Sequence, residues 1–125
     1  MSRTAADHTP ASCALALSLR LRKDERNLLG PGKIALLGAI ESAGSISGAA
    51  RTLGMSYRRA WLLVEALNAG FKSPLVAASH GGRQGGGAAL TENGASVLAL
   101  FRALERKAAK ASLRERRELA RLLSD

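Results

Sequence analysis

Apolar and polar positions alternate strictly at the start of the patterned chain, with Leu15, Leu17, Leu19 and Leu21 on one face and Ala16, Ser18, Arg20 and Arg22 on the other. A period of two over 15–22 predicts a half-buried strand, with a short helix as the competing reading because leucine is also a good helix former. The period then changes to that of a helix. After the breaker cluster Gly30, Pro31 and Gly32, the residues Ile34, Leu36, Leu37 and Ile40 keep helical spacing as far as Ala43, and Gly44 stops this first helix. Ser45 is placed to cap a second, short helix lined by Ile46, Ala49, Ala50 and Leu53 and closed by Gly54. Ser56 caps a third, whose apolar stripe of Ala60, Leu63, Val64 and Leu67 runs to Gly70.

Beyond Pro74, residues 75–79 and 88–90 read as two short strands joined by GGRQGGG (81–87), a hairpin with a flexible basic tip. Thr91 is the N-cap of a fourth helix, with Glu92 facing the positive helix end and Val97, Phe101, Leu104 and Ala108 carrying the period onward. A charged helix continues over 102–125 with Leu113, Leu119, Leu122 and Leu123 interleaved, and Ser112 marks a break in register. Residues 1–14, interrupted by Pro10 and without apolar periodicity, read as a disordered tail. The expected organisation is thus a tail over 1–14, one domain over 15–110 and a helical extension over 111–125. Its fold class is mainly α with a small β wing (α+β).

Composition narrows the chemistry. The 125 residues suffice for one domain, and 46% apolar content with only 3% aromatics implies a core of alanine and leucine. Nineteen Lys and Arg against ten Asp and Glu leave a formal charge of +9, which points to a polyanionic partner. The placement of charge sharpens this: residues 44–90 hold five bases and one acid, whereas 102–125 hold eight bases offset by four acids. A single cysteine, Cys13, makes neither an intramolecular disulfide nor by itself a zinc site, and fits a reducing compartment, so a cytoplasmic location is expected. No apolar run is long enough for a membrane span or a signal peptide. Two histidines, one cysteine and scattered carboxylates form no catalytic cluster, so no enzyme activity is expected. GGRQGGG lacks the G-x-x-x-x-G-K-[ST] spacing of a phosphate-cradling loop and is flanked by two strands. His80 beside it reads as a surface residue, and no metal site or cofactor is evident.

Two short helices joined by a glycine turn, the second opening with small polar and basic side chains, suit a major groove about 12 Å wide. Ala50 supplies the small residue of such a helix-turn-helix, Gly54 the turn, and Ala49, Leu53, Met55, Ala60 and Leu63 the apolar offsets. The strand hairpin that follows turns the motif into a winged helix-turn-helix with a long C-terminal helix. The segments GSISGAARTLGMSYRRAWLLVEALN and LVAASHGGRQGGGAALTENG resemble the N-terminal DNA-binding domain of the molybdate-responsive ModE-type transcriptional regulators, a winged helix-turn-helix related to that of LysR-type regulators. The resemblance covers 32–106 and rests most on GSIS-x-AA, SY-x-x-AW, the glycine wing and L-T-x-x-G. It implies a bacterial, sequence-specific DNA-binding regulator, with molybdenum-related genes as expected targets. Usual members of that family carry a molybdate-binding module after this domain, and the chain is expected to lack it.

Ser56, Tyr57, Arg58 and Arg59 occupy the first turn of the recognition helix and are the expected base and phosphate readers, joined by Ser45, Ser47, Arg51 and Thr52 on the preceding helix and by Arg83 and Gln84 at the wing tip. Arg58 and Arg59 diverge by about 100° around the helix, so one is expected at a base and the other at a phosphate. Trp61 is expected to pack against the wing or the first helix, with base stacking as the alternative. The partner is double-stranded DNA, bound by a homodimer that pairs through Val97, Phe101, Leu104, Ala108, Leu119 and Leu122; no membrane partner is expected, since acids interrupt the basic face. The rival readings are a nucleic-acid-binding protein without sequence preference and a single-domain molybdate sensor.

Overall fold

Proline decides where the first helix begins. In the computed structural model, which describes residues 13–79 and 86–124, α1 spans Pro31–Ala43, with Pro31 in its first turn, where a missing N–H removes no helical bond. The cluster read as a breaker is therefore a helix start. α1 ends at Gly44, whose φ of 75° is open to glycine at little cost. The next helix, α2 (Ile46–Leu53), is capped by Ser45, whose Oγ accepts from the Gly48 N–H at 2.9 Å. α3 (Tyr57–Ala69) is capped in the same way by Ser56.

The leading strand is shorter than the alternation predicts. Only Leu21–Lys23 is strand (β1), paired antiparallel with β2 (Arg26–Leu29), while Leu15 to Arg20 take no strand conformation. Alternation alone does not make a strand: a ladder needs a partner, and Leu17 and Leu21 stay 41% and 37% exposed. Asp24 and Glu25 join the strands with φ of 50° and 71°, the two left-handed residues of a type I′ turn. The second hairpin, β3 (Val76–Ser79) with β4 (Gly87–Leu90), lies where the sequence placed the wing strands, in the register Val76 to Leu90 through Ser79 to Gly87. Thr91 then caps α4 (Glu92–Ala111) by accepting from the Gly94 N–H at 3.0 Å. Ser112 separates α4 from α5 (Leu113–Arg121), as the register break predicted.

The chain forms two compact units, one of residues 19–101 and one of the preceding segment with residues 102 onward. In the first, a single core gathers Leu36, Leu37 and Ile40 of α1, Ala49 and Ala50 of α2, Ala60, Val64 and Leu67 of α3, Leu75, Val76 and Ala88 of the hairpin, and Leu98 and Phe101 of α4. Phe101 is only 2% exposed, and Val97 packs on the same cluster. These two belong to the core and not to a self-association face, because burying an aromatic or valine side chain stabilises this unit by about 1.5–3 kcal/mol. Leu104, Leu119 and Leu122 remain exposed at 39%, 56% and 82%.

The second unit is organised around a charge. Arg116 is buried at 7% exposure; its guanidinium donates to Ser112 Oγ at 3.0 Å, to the Leu15 carbonyl at 2.9 Å and to the Ala109 carbonyl at 2.6 Å. One side chain thus ties the end of α4, the start of α5 and residue 15 together, satisfying the donors whose burial would otherwise be costly.

Candidate nucleic-acid interface

The tight turn between α2 and α3 has a backbone cause. Gly54, at φ 67°, lets the Met55 N–H return to the Ala50 carbonyl at 3.0 Å and the Gly54 N–H to that of Arg51 at 3.2 Å, the pair of bonds that closes a Schellman ending. Ala49 and Ala50, 0% and 3% exposed, leave room for α3 to approach. The Ser56 Oγ accepts from the Arg59 N–H at 3.1 Å, so its own hydroxyl hydrogen stays available for an oxyanion at the positive helix end.

Helix geometry separates the two arginines. Ala60, Val64 and Leu67 are 0%, 4% and 1% exposed and define the inward side of α3. At about 100° per residue, Arg58 and Leu62 lie roughly opposite that stripe, whereas Arg59 and Trp61 lie about 100° from Ala60 on its two flanks. Arg58 and Arg59 are exposed, and Leu62 is 47% exposed. The most outward residues of the recognition helix are therefore a guanidinium and, one turn on, an aliphatic side chain.

Trp61 departs from the expected core packing, at 42% exposure, and Tyr57 is 55% exposed. Both line an open cleft of about 420 Å³ between α3 and the wing strands, shared with Ser47, Glu65, Asn68 and Gly87. The reason is geometric: the Trp61 flank is turned toward small wing residues, Ala77 and Ala78, which cannot cover an indole. Asn68 closes the end of this cleft. Its Oδ1 accepts from the Leu75 and Val76 N–H groups at 2.8 and 3.1 Å while its Nδ2 donates to the Val76 carbonyl at 3.1 Å, fastening β3 to the last turn of α3. At the other strand, the Ala88 N–H donates to the Gly44 carbonyl at 3.0 Å.

The remaining expected residues divide. Ser47 is exposed and Arg51 is exposed in the last turn of α2. Ser45 is committed to its cap as acceptor but keeps a hydroxyl hydrogen. Thr52 is exposed, and its Oγ1 donates to the Gly48 carbonyl at 3.0 Å. Arg83, Gln84 and His80 lie outside the described residues. Leu62, Glu65 and Asn68 were missed by sequence reasoning; the only signal for Leu62 was its position four residues after Arg58, and an asparagine near a helix end gave none. Among the described residues no His, Cys, Asp or Glu cluster of metal-binding size occurs.

Residues 32–95, from the start of α1 through both wing strands to the first turn of α4, match the family described as bacterial regulatory helix-turn-helix protein, lysR family. The chain belongs to this lysR family. The chain is also 46% identical over 82 residues to the molybdenum-pterin-binding protein MopB of Rhodobacter capsulatus and 42% identical over 87 residues to the molybdenum transport protein ModE of Azotobacter vinelandii, covering 66% and 70% of this chain. It is 36% identical over 83 residues to the DNA-binding transcriptional dual regulator ModE of Escherichia coli K12. The chain spans only about a third of these relatives, 30%, 32% and 32% of their lengths. A crystal structure of the CbnR DNA-binding domain in complex with DNA superposes with a TM-score of 0.55 at 26% identity, over 68% of this chain and 92% of that one. The winged helix-turn-helix and the ModE-like character read from the sequence both stand. No helix among the described residues is long and apolar enough to cross a membrane.

Proposed function

We propose that this chain is a sequence-specific transcriptional regulator that acts in the cytoplasm, without catalytic activity, by placing α3 in the major groove of double-stranded DNA as a homodimer. The observation that carries the reading is the outward face of α3, where Arg58 and Leu62 stand opposite the buried stripe of Ala60, Val64 and Leu67. Arg58 reads a base, guanine O6 and N7 being the usual partner of a bidentate guanidinium, and Arg59 holds a phosphate on the flank. Ser45, Ser47, Arg51, Ser56 and Tyr57 line the backbone beside them, with Arg83 and Gln84 reaching it from the wing. Residues 111–125 extend the domain and supply, with Leu104 and Ala108, the pairing surface through Leu119 and Leu122, whose exposure supports it. The names of the relatives support control of genes linked to molybdenum.

Binding-site selection on genomic DNA, run with and without molybdate, tests this. A shared, two-fold symmetric motif is expected, and Arg58→Ala should cost about 1–3 kcal/mol on the selected site with little effect on random duplex, while Arg59→Ala should weaken both alike. Equal losses on both duplexes for both variants would demote Arg58 to a phosphate contact, and enrichment of no motif would favour binding without sequence preference. Leu119→Glu with Leu122→Glu should give a monomer in sedimentation.

A further inference from the structure

The leading hairpin, β1 with β2, lies outside the helix-turn-helix and its wing, yet it faces the far end of the recognition helix. Lys23, Arg26 and Lys33 line a recess of about 250 Å³ whose other walls include Ala66, Ala69 and Gly70, the last turn and cap of α3. Three cations and no carboxylate line it. Lys23 and Arg26 are directly opposed across the strands, an arrangement of like charges that destabilises a sheet. Among the described residues no carboxylate pairs with either; the acids nearest in sequence, Asp24 and Glu25, stand in the turn and do not line the recess. Lys33 is held inward, its Nζ donating to the Asn27 carbonyl at 3.1 Å and the Leu28 carbonyl at 3.5 Å. That leaves Lys23 and Arg26 exposed at the mouth.

We propose that this recess is a second phosphate clamp, taking the DNA backbone on the side of the major groove away from Ser56 and Arg59. This rests on the placement of α3 in the groove. α3 has 13 residues, so it is about 20 Å long at a rise of about 1.5 Å per residue, more than the groove's width of about 12 Å. A helix that crosses the groove from a first turn at one backbone strand therefore reaches the other with its C-terminal half, where Ala66, Ala69 and the recess lie. The opposed cations are stabilised by the phosphate that neutralises them.

The test is the salt dependence of binding by the full chain, with Lys23→Gln and Arg26→Gln combined, on the selected duplex and on a random one. Each phosphate contact contributes about 0.9 to the slope of log K against log salt, equivalent to roughly fivefold in affinity at about 0.15 M salt. The double variant should lose about one to two units of slope and roughly five- to thirtyfold in affinity, equally on both duplexes. Its melting temperature without DNA should not fall, because a like-charge pair has been removed. An unchanged slope, with the melting temperature retained, would overturn the clamp while leaving base reading by Arg58 intact. Failure of the unsubstituted chain to bind any duplex would overturn the functional reading itself.

Discussion

Gly94 offers a test in which two physical rules predict opposite signs. It lies in the first turn of α4, where helix propensity favours alanine over glycine by up to about 1 kcal/mol. Yet a Cβ built there falls inside the van der Waals envelope of the Leu75 carbonyl oxygen, with the carbonyl carbon at 2.9 Å and the Leu75 Cα at 3.2 Å. The obstacle is backbone that has no slack. Leu75 is 0% exposed, its N–H is held by Asn68 and its carbonyl accepts from the Thr91 N–H at 2.9 Å. The start of α4 must therefore move out by about an ångström. Overpacking of this kind costs about 1–3 kcal/mol. Weakening the Thr91 bonds to the Leu75 and Pro74 carbonyls adds about 0.5–1.5 kcal/mol each. Less the propensity gain, Gly94→Ala should destabilise by about 3 kcal/mol, lowering the melting temperature by roughly 10–15 °C for a chain of this size. Calorimetry or a circular dichroism melt reads it directly. Gly32→Ala is the matched control: it too is helical, has no atom within 4 Å of the added Cβ, and should gain up to about 1 kcal/mol. A Gly94→Ala chain melting at or above the parent would refute the steric argument, and so would an equal loss from Gly32→Ala.

Substitutions at three further positions probe other joints. Asn68→Ala removes three hydrogen bonds and strands two buried amides, so it should cost about 2–4 kcal/mol by chemical denaturation, while Asn68→Asp, which keeps the acceptor for both amides, should cost less. Arg116→Ala should speed hydrogen exchange throughout α5, because three donor contacts each contributing about 1.5–3 kcal/mol at a charged group are lost together, and Arg116→Lys should not restore protection. Protection equal to the parent's would show the buried guanidinium to be incidental. At the type I′ turn, Glu25→Gly should be about 1–2 kcal/mol more stable than Glu25→Val, since a β-branched side chain at φ 71° is strained; melts of the two variants that coincide would count against a left-handed turn.

Most of the helix-turn-helix that carries the candidate interface was legible because its signals are local. Ser45, Gly54 and Ser56 announce helix ends through their own side chains or lack of one, and the spacing of Ala60, Val64 and Leu67 gives the inward face of α3 without knowledge of what covers it. Thr91 and the glycine three residues later were legible as a motif, though the crowding that requires Gly94 is set by the backbone of Leu75, 19 residues earlier and just before β3. What escaped was non-local or chemically disguised. The leading hairpin turns on Asp-Glu instead of the usual Asn-Gly, so a hairpin there had no sequence mark and the leucine alternation before it was over-read. Arg116 sits in a run of charges that reads as a solvated face. Phe101 and Val97 share one apolar stripe with Leu104 and Ala108, and periodicity does not tell which part of a stripe meets its own core.

Asn68 also has a mechanical meaning. A side chain of the recognition helix holds the first amide of the wing strand and the amide just before it, so a rotation of that helix swings β3 with it. On the proposed function, in which α3 reads bases and the wing holds the backbone, those two movements are coupled through Asn68, and a mismatched base that tilts the helix would also loosen the wing's hold. Discrimination against a wrong site would in this way exceed the loss of the single contact at the mismatch.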